Sequence, residues 1–263
     1  MRVYAPLRSV VAFLALSLCC LLVQAQSPNR QLFHLRKYSF TNLEQERLAD
    51  YYMEEALMPA LRRQGIRNIG IFKSHPNDSD SLRYLFVLHP LTSLNQLGRL
   101  DQALQADELY HKVGAPFLDA PYEQPPYLRM ESSLLKAFTG MPGMRPSDLK
   151  GPRGQRVYEL RSYESPTEAK YRNKVAMFNA GGEITLFERL GFNAVFYGEV
   201  LSGPRMPNLM YMTIFKDMTT RDSLWTQFFE SEKWKALEKD PRYQHNVNQA
   251  DIFLLYPTPY SDY

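Results

Sequence analysis

Alternation of apolar and polar residues predicts a β-strand near the start of each of two similar halves of the chain. Residues 32–39 and 156–163 alternate at the two-residue period of a strand. Apolar positions then recur at helical spacing over 43–64 and 166–190. Each of these runs ends at a glycine, Gly65 or Gly191, which suits a left-handed helix cap.

The pattern continues in the same order in both halves and predicts βαββαβ, the ferredoxin-like unit. In the first half, the later elements are predicted at 68–74, 83–89, 92–105 and 126–131. In the second half, they are predicted at 193–201, 209–216, 219–237 and 250–256. Pro59 in the first long helix and Gly181-Gly182 in its counterpart disfavour a straight helix, so we expect a kink or break in both.

Three sequence blocks recur in the same order, which indicates an internal duplication. Leu-Phe-His-Leu-Arg-Lys-Tyr at 32–38 parallels Val-Tyr-Glu-Leu-Arg-Ser-Tyr at 157–163. Arg-Gln-Gly at 63–65 parallels Arg-Leu-Gly at 189–191, and the block from Tyr84 is aligned with the block from Tyr211. We therefore expect a first repeat at 30–135, a linker rich in Pro and Gly wrapped on the surface at 139–155, and a second repeat at 156–263.

The first 25 residues have the features of a signal peptide. Arg2 and Arg8 precede an apolar run over 10–23, and small residues at Val23 and Ala25 fit a cleavage site before Gln26. An uncleaved membrane anchor is the alternative, but this run is shorter than the ~20 residues that span a bilayer. A lipid anchor on Cys19 or Cys20 is a further alternative. We expect export, to the periplasm or the extracellular space.

Cleavage after residue 25 would change both the cysteine content and the charge of the 263-residue chain. Both cysteines lie in the removed segment, so the mature protein would have no disulfide and no thiolate nucleophile. Loss of Arg2 and Arg8 lowers the formal net charge from +3 to +1. That charge offers no electrostatic surface for nucleic acid or an anionic membrane, and we expect no membrane span in the mature chain.

Three blocks of the second repeat resemble the NIPSNAP family of the dimeric α/β barrel superfamily. They are Val-Tyr-Glu-Leu-Arg-Ser-Tyr at 157–163, Gly-Gly-Glu-Ile at 181–184 followed by Arg-Leu-Gly-Phe at 189–192, and Met-Pro-Asn-Leu-Met-Tyr-Met at 206–212. The resemblance implies an α+β fold in which two tandem ferredoxin-like repeats form one pseudo-dimeric barrel with helices outside. It implies no catalytic residues. One chain would supply both halves, so we expect a monomer for which further association is optional.

Strand alternation places a polar set on one face of the first strand of each repeat. We expect this face to line the barrel interior, with Phe33, Leu35, Tyr158 and Leu160 turned toward the helices. The candidate ligand-binding residues are His34, Arg36, Tyr38, Glu159, Arg161 and Tyr163, together with Glu199, Tyr84 and Tyr211 as partners of the arginines. A buried arginine needs a carboxylate or a ligand, so the set is either a satisfied Arg-Glu-Tyr network or a site for a polar or anionic molecule.

No motif of established catalytic or metal chemistry occurs in the sequence. The histidines have no spacing typical of metal ligands, and nucleophile elbow, zinc-protease and phosphate-loop motifs are missing. We expect no cofactor and no metal, and the catalytic residues are unknown. The favoured interpretation is an exported, non-catalytic small-molecule-binding or interaction module. The alternatives are a cofactor-independent monooxygenase or isomerase acting on a small aromatic or polyketide-like substrate in the barrel, and an assembly protein.

Overall fold

A computed structural model describes residues 29–76 and 82–263 of the chain. The expected signal peptide lies outside these residues. The elements of the first half are β1 (Leu32–Phe40), α1 (Leu43–Tyr51), a π-helical turn (Tyr52–Leu57), α2 (Met58–Arg63), β2 (Gly70–Ser74), β3 (Arg83–Leu91), α3 (Leu94–Gln105), α4 (Glu108–Leu118) and β4 (Arg129–Ala137). The elements of the second half are β5 (Val157–Glu164), α5 (Glu168–Asn179), α6 (Glu183–Leu190), β6 (Asn193–Ser202), β7 (Asn208–Phe215), α7 (Met218–Glu230), α8 (Glu232–Lys239) and β8 (Gln249–Pro257).

The eight strands close into one antiparallel barrel in the order β1-β3-β2-β8-β5-β7-β6-β4. Each half contributes four strands, and the halves meet where β2 pairs with β8 and β4 pairs with β6. The α+β fold predicted from the sequence is confirmed. Closure leaves each four-stranded sheet without a free edge, which an isolated half would expose.

Apolar side chains from both halves fill the barrel interior. Phe33 and Phe196 lie with ring centroids 5.4 Å apart, and Phe72 packs against Tyr158 at 4.8 Å. Burying such a ring stabilises the fold by about 1.5–3 kcal/mol. The interior retains a cavity of about 30 Å³ near one mouth, which has room for one or two water molecules.

The helices of each half cover the outer face of its own four strands with a separate apolar layer. In the first half, residues of α1, the π-helical turn and α2 pack on β1 and β3, with Phe117 of α4 stacked on Tyr52 at 4.2 Å. In the second half, Phe187 of α6 and Phe228 of α7 stack at 4.8 Å over β6 and β7. Both faces of the sheet are therefore buried, one by the barrel interior and one by helices.

The first long helix of each half is interrupted, but in different ways. Pro59 has no N–H to donate, and the preceding turn is π-helical, with Met58 N–H bonded to the Met53 carbonyl. In the second half the helix breaks at Gly182, which has φ 87°. Both helices then end at the expected glycines, Gly65 at φ 78° and Gly191 at φ 90°.

Three details of the first half differ from the sequence-based expectations. The last strand covers Arg129–Ala137 rather than 126–131, because its inward positions continue to Leu135 and Ala137 beyond the polar stretch around Ser132. Helix α4 was not predicted. The linker segment is not wholly superficial, since Met141 is buried.

The third block of the duplication was aligned three residues too far along. His34 pairs with His89 and the equivalent Glu159 pairs with Thr213, so β3 and β7 correspond at an offset of 124 rather than 127. Tyr84 and Tyr211 are therefore not equivalent residues. The structure places Tyr84 inside the barrel and Tyr211 under the helices.

Candidate functional site

The expected polar lining of the barrel interior is wrong, because the two faces of the sheet were exchanged. Phe33, Leu35, Tyr158 and Leu160 point into the barrel. The opposite face, under the helices, holds His34, Arg36, Tyr38, Glu159, Arg161 and Tyr163. Alternation separates two faces but does not identify them when both are buried. Here the helix layer supplies the polar partners of these residues, while the interior is mainly apolar, with polar side chains such as Lys37 and Glu131 near one mouth.

In the second half, this face carries a fully paired charge network centred on Glu159. The carboxylate is completely buried and accepts a 2.5 Å hydrogen bond from Arg161 Nε. Arg161 Nη1 donates to the Tyr163 hydroxyl at 3.0 Å, and that oxygen lies 3.0 Å from the Tyr211 hydroxyl. Arg161 therefore has both a countercharge and a hydroxyl partner.

Helix α7 completes this network from the outer side of the sheet. Arg221 Nε donates to the second Glu159 oxygen at 2.6 Å, and Trp225 Nε1 donates to the same oxygen at 3.0 Å. The Trp225 ring also lies 3.7 Å from the Arg161 guanidinium carbon, a cation–π contact. Burial opposes the charge on Arg161, but Tyr211, Tyr163 and Glu159 outweigh it and raise its pKa. The arrangement leaves no vacant position for a ligand on Glu159, so it acts to join helix to sheet.

In the first half, the equivalent arginine has no carboxylate. Arg36 forms no ion pair with any residue of the described part of the chain, and it is only partly exposed. Its pKa is raised even though burial would lower it, because the hydroxyls of Tyr38, Tyr52 and Tyr110 face it. The Tyr52 and Tyr110 hydroxyl oxygens lie 2.6 Å apart. The π-helical turn presents Tyr52, and such turns are frequent at functional sites.

The position of Glu159 is taken in the first half by His34, which belongs to a chain of hydrogen bonds. His34 Nδ1 lies 3.2 Å from His89 Nε2, and His34 Nε2 lies 2.8 Å from Ser132 Oγ. His89 Nδ1 lies 3.3 Å from the Pro90 carbonyl oxygen. Both histidines are buried, whereas Ser132 is exposed.

Both imidazoles are neutral at pH 7. Burial, then the charge of Arg36 and the neighbouring His89, lowers the pKa of His34 to about 3. Burial lowers the pKa of His89 to about 4, with the charge of Arg36 acting in the same direction and the Pro90 carbonyl opposing it. Arg36 is thus the positive charge of this cluster, and no carboxylate within 29–76 or 82–263 forms an ion pair with it.

The two remaining candidate residues lie away from both clusters. Glu199 pairs with Arg30 at 2.5 Å and accepts a bond from the Tyr171 hydroxyl at 3.3 Å. Tyr84 lies inside the barrel, where the Lys37 ammonium is 5.5 Å from its ring centroid. Neither residue contacts the sheet arginines that it was expected to partner.

Sequence reasoning missed the residues that complete both clusters. His34 and His89 are cross-strand partners, which spacing along the chain does not reveal. Arg221 and Trp225 do carry a signal, because residues four apart share one helix face. Among the described residues, no three His, Cys, Asp or Glu side chains are grouped closely enough to hold a metal ion. None of the described helices is both long and apolar enough to cross a bilayer.

Comparison with protein families identifies the second half of the chain. Residues 158–262 match the NIPSNAP family. The curated proteins include no match to this sequence. The match covers β5 to β8 and therefore the paired cluster around Glu159, but not the cluster around Arg36.

Solved structures share the whole fold at low sequence identity. A protein of Fusobacterium nucleatum, named as a candidate monooxygenase, is 7% identical, with 88% of this chain and 93% of that one covered and a TM-score of 0.56. A candidate monooxygenase of Lactobacillus acidophilus is 10% identical, with 87% and 94% covered and a TM-score of 0.52. An anthrone oxidase-like protein is 12% identical, with 88% and 93% covered and a TM-score of 0.53. At such identities the likeness shows the dimeric α/β barrel fold alone.

Proposed function

Since the second half of this chain is a NIPSNAP domain, and the first half completes the same barrel with different polar residues, we propose that the protein is a binding module for a small anionic molecule. The site is the Arg36 cluster: Arg36, Tyr38, Tyr52, Tyr110, His34 and His89. The ligand class is a carboxylate-, sulfate- or phosphate-bearing molecule. The binding step requires no turnover.

The observation that carries the proposal is the unneutralised charge of Arg36. A guanidinium withdrawn from water loses solvation, and this loss is normally offset by a carboxylate or another anion. Arg161 has Glu159 at 2.5 Å for this purpose, whereas the corresponding position beside Arg36 holds neutral His34. An anion bound at Arg36 would supply the missing countercharge.

The surroundings of Arg36 suit a small anion that arrives from solvent. The hydroxyls of Tyr38, Tyr52 and Tyr110 interact with the guanidinium. Since Tyr52 and Tyr110 share one hydrogen bond, two of the three O–H groups remain to donate to an anionic oxygen. The Arg36 residue as a whole is half-buried rather than fully enclosed. The cavity of about 30 Å³ near one mouth of the barrel is too small for anything larger than a few atoms.

Thermal unfolding in the presence of anions tests this proposal. Phosphate, sulfate and succinate are added at constant ionic strength, with chloride as the reference anion. At a hundredfold excess over Kd, binding adds about 2.7 kcal/mol, which corresponds to a rise in Tm of about 5–10 °C for a chain of this size. Arg36→Gln should abolish the rise.

The matched control is Arg129→Gln, which removes an exposed charge from the neighbouring strand β4. This variant should keep the full response to the anions. Equal responses in the wild type and Arg36→Gln would refute the site. Lack of any response in the wild type to all three anions would refute the ligand class.

A second candidate function is a cofactor-independent monooxygenase or isomerase for a small aromatic or polyketide-like substrate. The three tyrosine hydroxyls beside a guanidinium favour it, because such a group stabilises a developing enolate. The small interior cavity argues against a substrate inside the barrel. Oxygen uptake with an anthrone substrate distinguishes the two functions: uptake above the buffer rate that is lost in Arg36→Gln would support the enzyme.

We also propose that the protein is exported and works as a monomer. Export rests on the basic and apolar segments before Gln26 and on the small residues at Val23 and Ala25. N-terminal sequencing of the mature protein should begin at Gln26. A monomer is proposed because one chain already closes the barrel, and sedimentation at micromolar concentration should give the mass of a single chain.

A further inference from the structure

The hydrogen bonds around His34 impose one order of donors and acceptors. The Pro90 carbonyl only accepts, so His89 carries its proton on Nδ1 and presents a lone pair at Nε2. His34 Nδ1 must then donate to His89 Nε2, which leaves a lone pair on His34 Nε2. The Ser132 hydroxyl donates to that lone pair across 2.8 Å. An exposed serine hydroxyl is therefore aimed at an acceptor imidazole, which a second imidazole orients.

The fold itself does not require the hydrogen bonds that link Ser132, His34 and His89. At the equivalent positions of the second half, Glu159 replaces His34, Thr213 replaces His89 and Ile252 replaces Ser132. That half folds with the same strand pairing and the same burial pattern in its last strand. The hydrogen-bonded set of Ser132, His34 and His89 therefore occurs in the first half and has no counterpart at the equivalent positions of the second half.

We propose that Ser132 is a nucleophile activated by His34, and that it hydrolyses small esters whose acyl group carries a negative charge. A nucleophile bonded to a base, which a third group orients, is the general arrangement of nucleophilic catalysis. The preference for an anionic acyl group rests on the anion site proposed above. The hydrogen bond between Ser132 and His34 is formed without any anion at that site.

The reaction is an ordinary acyl transfer in two balanced steps. Ser132 Oγ attacks the ester carbonyl carbon while its proton passes to His34 Nε2. The carbon–oxygen bond to the alcohol then breaks, and the alcohol takes that proton and leaves an acyl-serine. Water repeats the sequence on the acyl-serine and releases the carboxylic acid.

Arg36 connects the serine to the proposed anion site. Arg36 and Ser132 are directly paired across β1 and β4, and side chains at such positions have Cβ atoms about 4.5–5.5 Å apart. Burial first, and the charge of Arg36 after it, lower the pKa of His34 to about 3. A carboxylate on Arg36 cancels part of that charge, so the bound substrate makes His34 more basic.

Labelling with an uncharged fluorophosphonate tests the nucleophile without involving the anion site. Mass spectrometry of the full-length protein should show one adduct, on Ser132, and Ser132→Ala should show none. Ser133→Ala is the matched control, since the neighbouring Ser133 is buried and lines the interior cavity. His34→Gln should slow labelling by about tenfold, less than the usual contribution of a general base, because burial and the charge of Arg36 lower the pKa of His34 to about 3. Lack of a Ser132 adduct in the wild type would overturn the inference, whatever the anion-binding result.

Two esters of the same leaving group test the substrate class. Mono-4-nitrophenyl succinate should be hydrolysed at least tenfold faster than 4-nitrophenyl acetate, relative to their rates in buffer. Arg36→Gln should remove this preference, whereas Ser132→Ala should remove hydrolysis of both esters. Labelling with no preference for succinate would preserve the nucleophile and overturn the anionic substrate class together with the proposed binding function.

Discussion

The two halves of the barrel place an arginine at the same position of the same strand and neutralise it differently. Arg161 lies beside Glu159, whose two oxygens accept bonds from Arg161, Arg221 and Trp225. Arg36 lies beside His34, a neutral imidazole that bonds to His89 and Ser132 instead. The first arrangement is complete within the protein, and the second lacks an anion.

This difference is the basis on which we propose different roles for the two arginines. The two arginines lie at equivalent positions of equivalent strands, so strand pairing alone does not explain why Arg36 has no carboxylate partner among the described residues. The residue two positions before each arginine, Glu159 or His34, determines whether that arginine has a countercharge. The comparison can be tested by removing, protonating or transplanting that partner.

The largest effect is expected from Glu159→Gln. Loss of the carboxylate leaves Arg161 and Arg221 without their shared countercharge, and breaking a buried pair in this way costs about 3–5 kcal/mol. The free energy of unfolding is measured by urea denaturation. Glu199→Gln is the control, because the Arg30–Glu199 pair is partly exposed and should contribute about 1 kcal/mol or less. Equal losses would show that the Glu159 network has no special role.

Acid should destabilise the protein through the first half. The pKa values of His34 and His89 are lowered to about 3 and about 4, so the unfolded chain binds more protons than the folded one below pH 6.5. The free energy of unfolding therefore falls as pH falls, by at most about 1.4 kcal/mol per pH unit for each imidazole. Unfolding between pH 6.5 and 4.5 is compared in the wild type and His89→Gln. An unchanged pH slope would contradict the buried neutral pair.

Transplanting the carboxylate should convert the first site into a copy of the second. In His34→Glu, the new carboxylate occupies the position of Glu159 and pairs with Arg36. Anions should then leave the Tm of this variant unchanged. In the wild type, a hundredfold excess over Kd should stabilise the protein by about 2.7 kcal/mol, which raises its Tm. His34→Gln, which removes the imidazole but adds no countercharge, should weaken anion binding without abolishing it. A response to succinate that survives in His34→Glu would place the anion elsewhere.

The smallest effects are expected at the helix caps, where the halves should behave alike. Gly65 and Gly191 both have positive φ, and a Cβ at either position would meet no atom within 4 Å. Alanine there adds only backbone strain, so each substitution should cost about 1 kcal/mol. Denaturant midpoints of the two variants measure this cost. A difference well above 1 kcal/mol between them would show that the pseudo-symmetry fails at these turns.

Much of the fold could be predicted from the sequence because its signals are local. Period-two alternation located β1 and β5, and the glycines at the ends of α2 and α6 located both helix ends. The last strand of the first half was misplaced because Glu131, Ser132 and Ser133 interrupt the apolar pattern while the strand continues through them. Helix α4 was missed for a related reason, since Gly114 and Pro116 lie within it.

The candidate site was harder to predict because it depends on pairings between distant segments. The alternation correctly grouped His34, Arg36 and Tyr38 on one face, but a strand whose two faces are both buried gives no sign of which one meets the helices. The partners His89 and Ser132 follow from the β1–β3 and β1–β4 registers. An error of three residues in aligning the repeats, as for Tyr84 and Tyr211, exchanges the faces and hides such partners.

The covalent junction between the two halves has a consequence for how their chemistry can change. In a barrel made from two identical subunits, every substitution appears twice, so a change that weakens one helix–sheet joint weakens both. Joined in a single chain, one copy can retain the Glu159 joint while the other exchanges its carboxylate for histidine. The second half then keeps the helix–sheet contacts that stabilise the barrel, and the first half can accept substitutions that would otherwise weaken both copies.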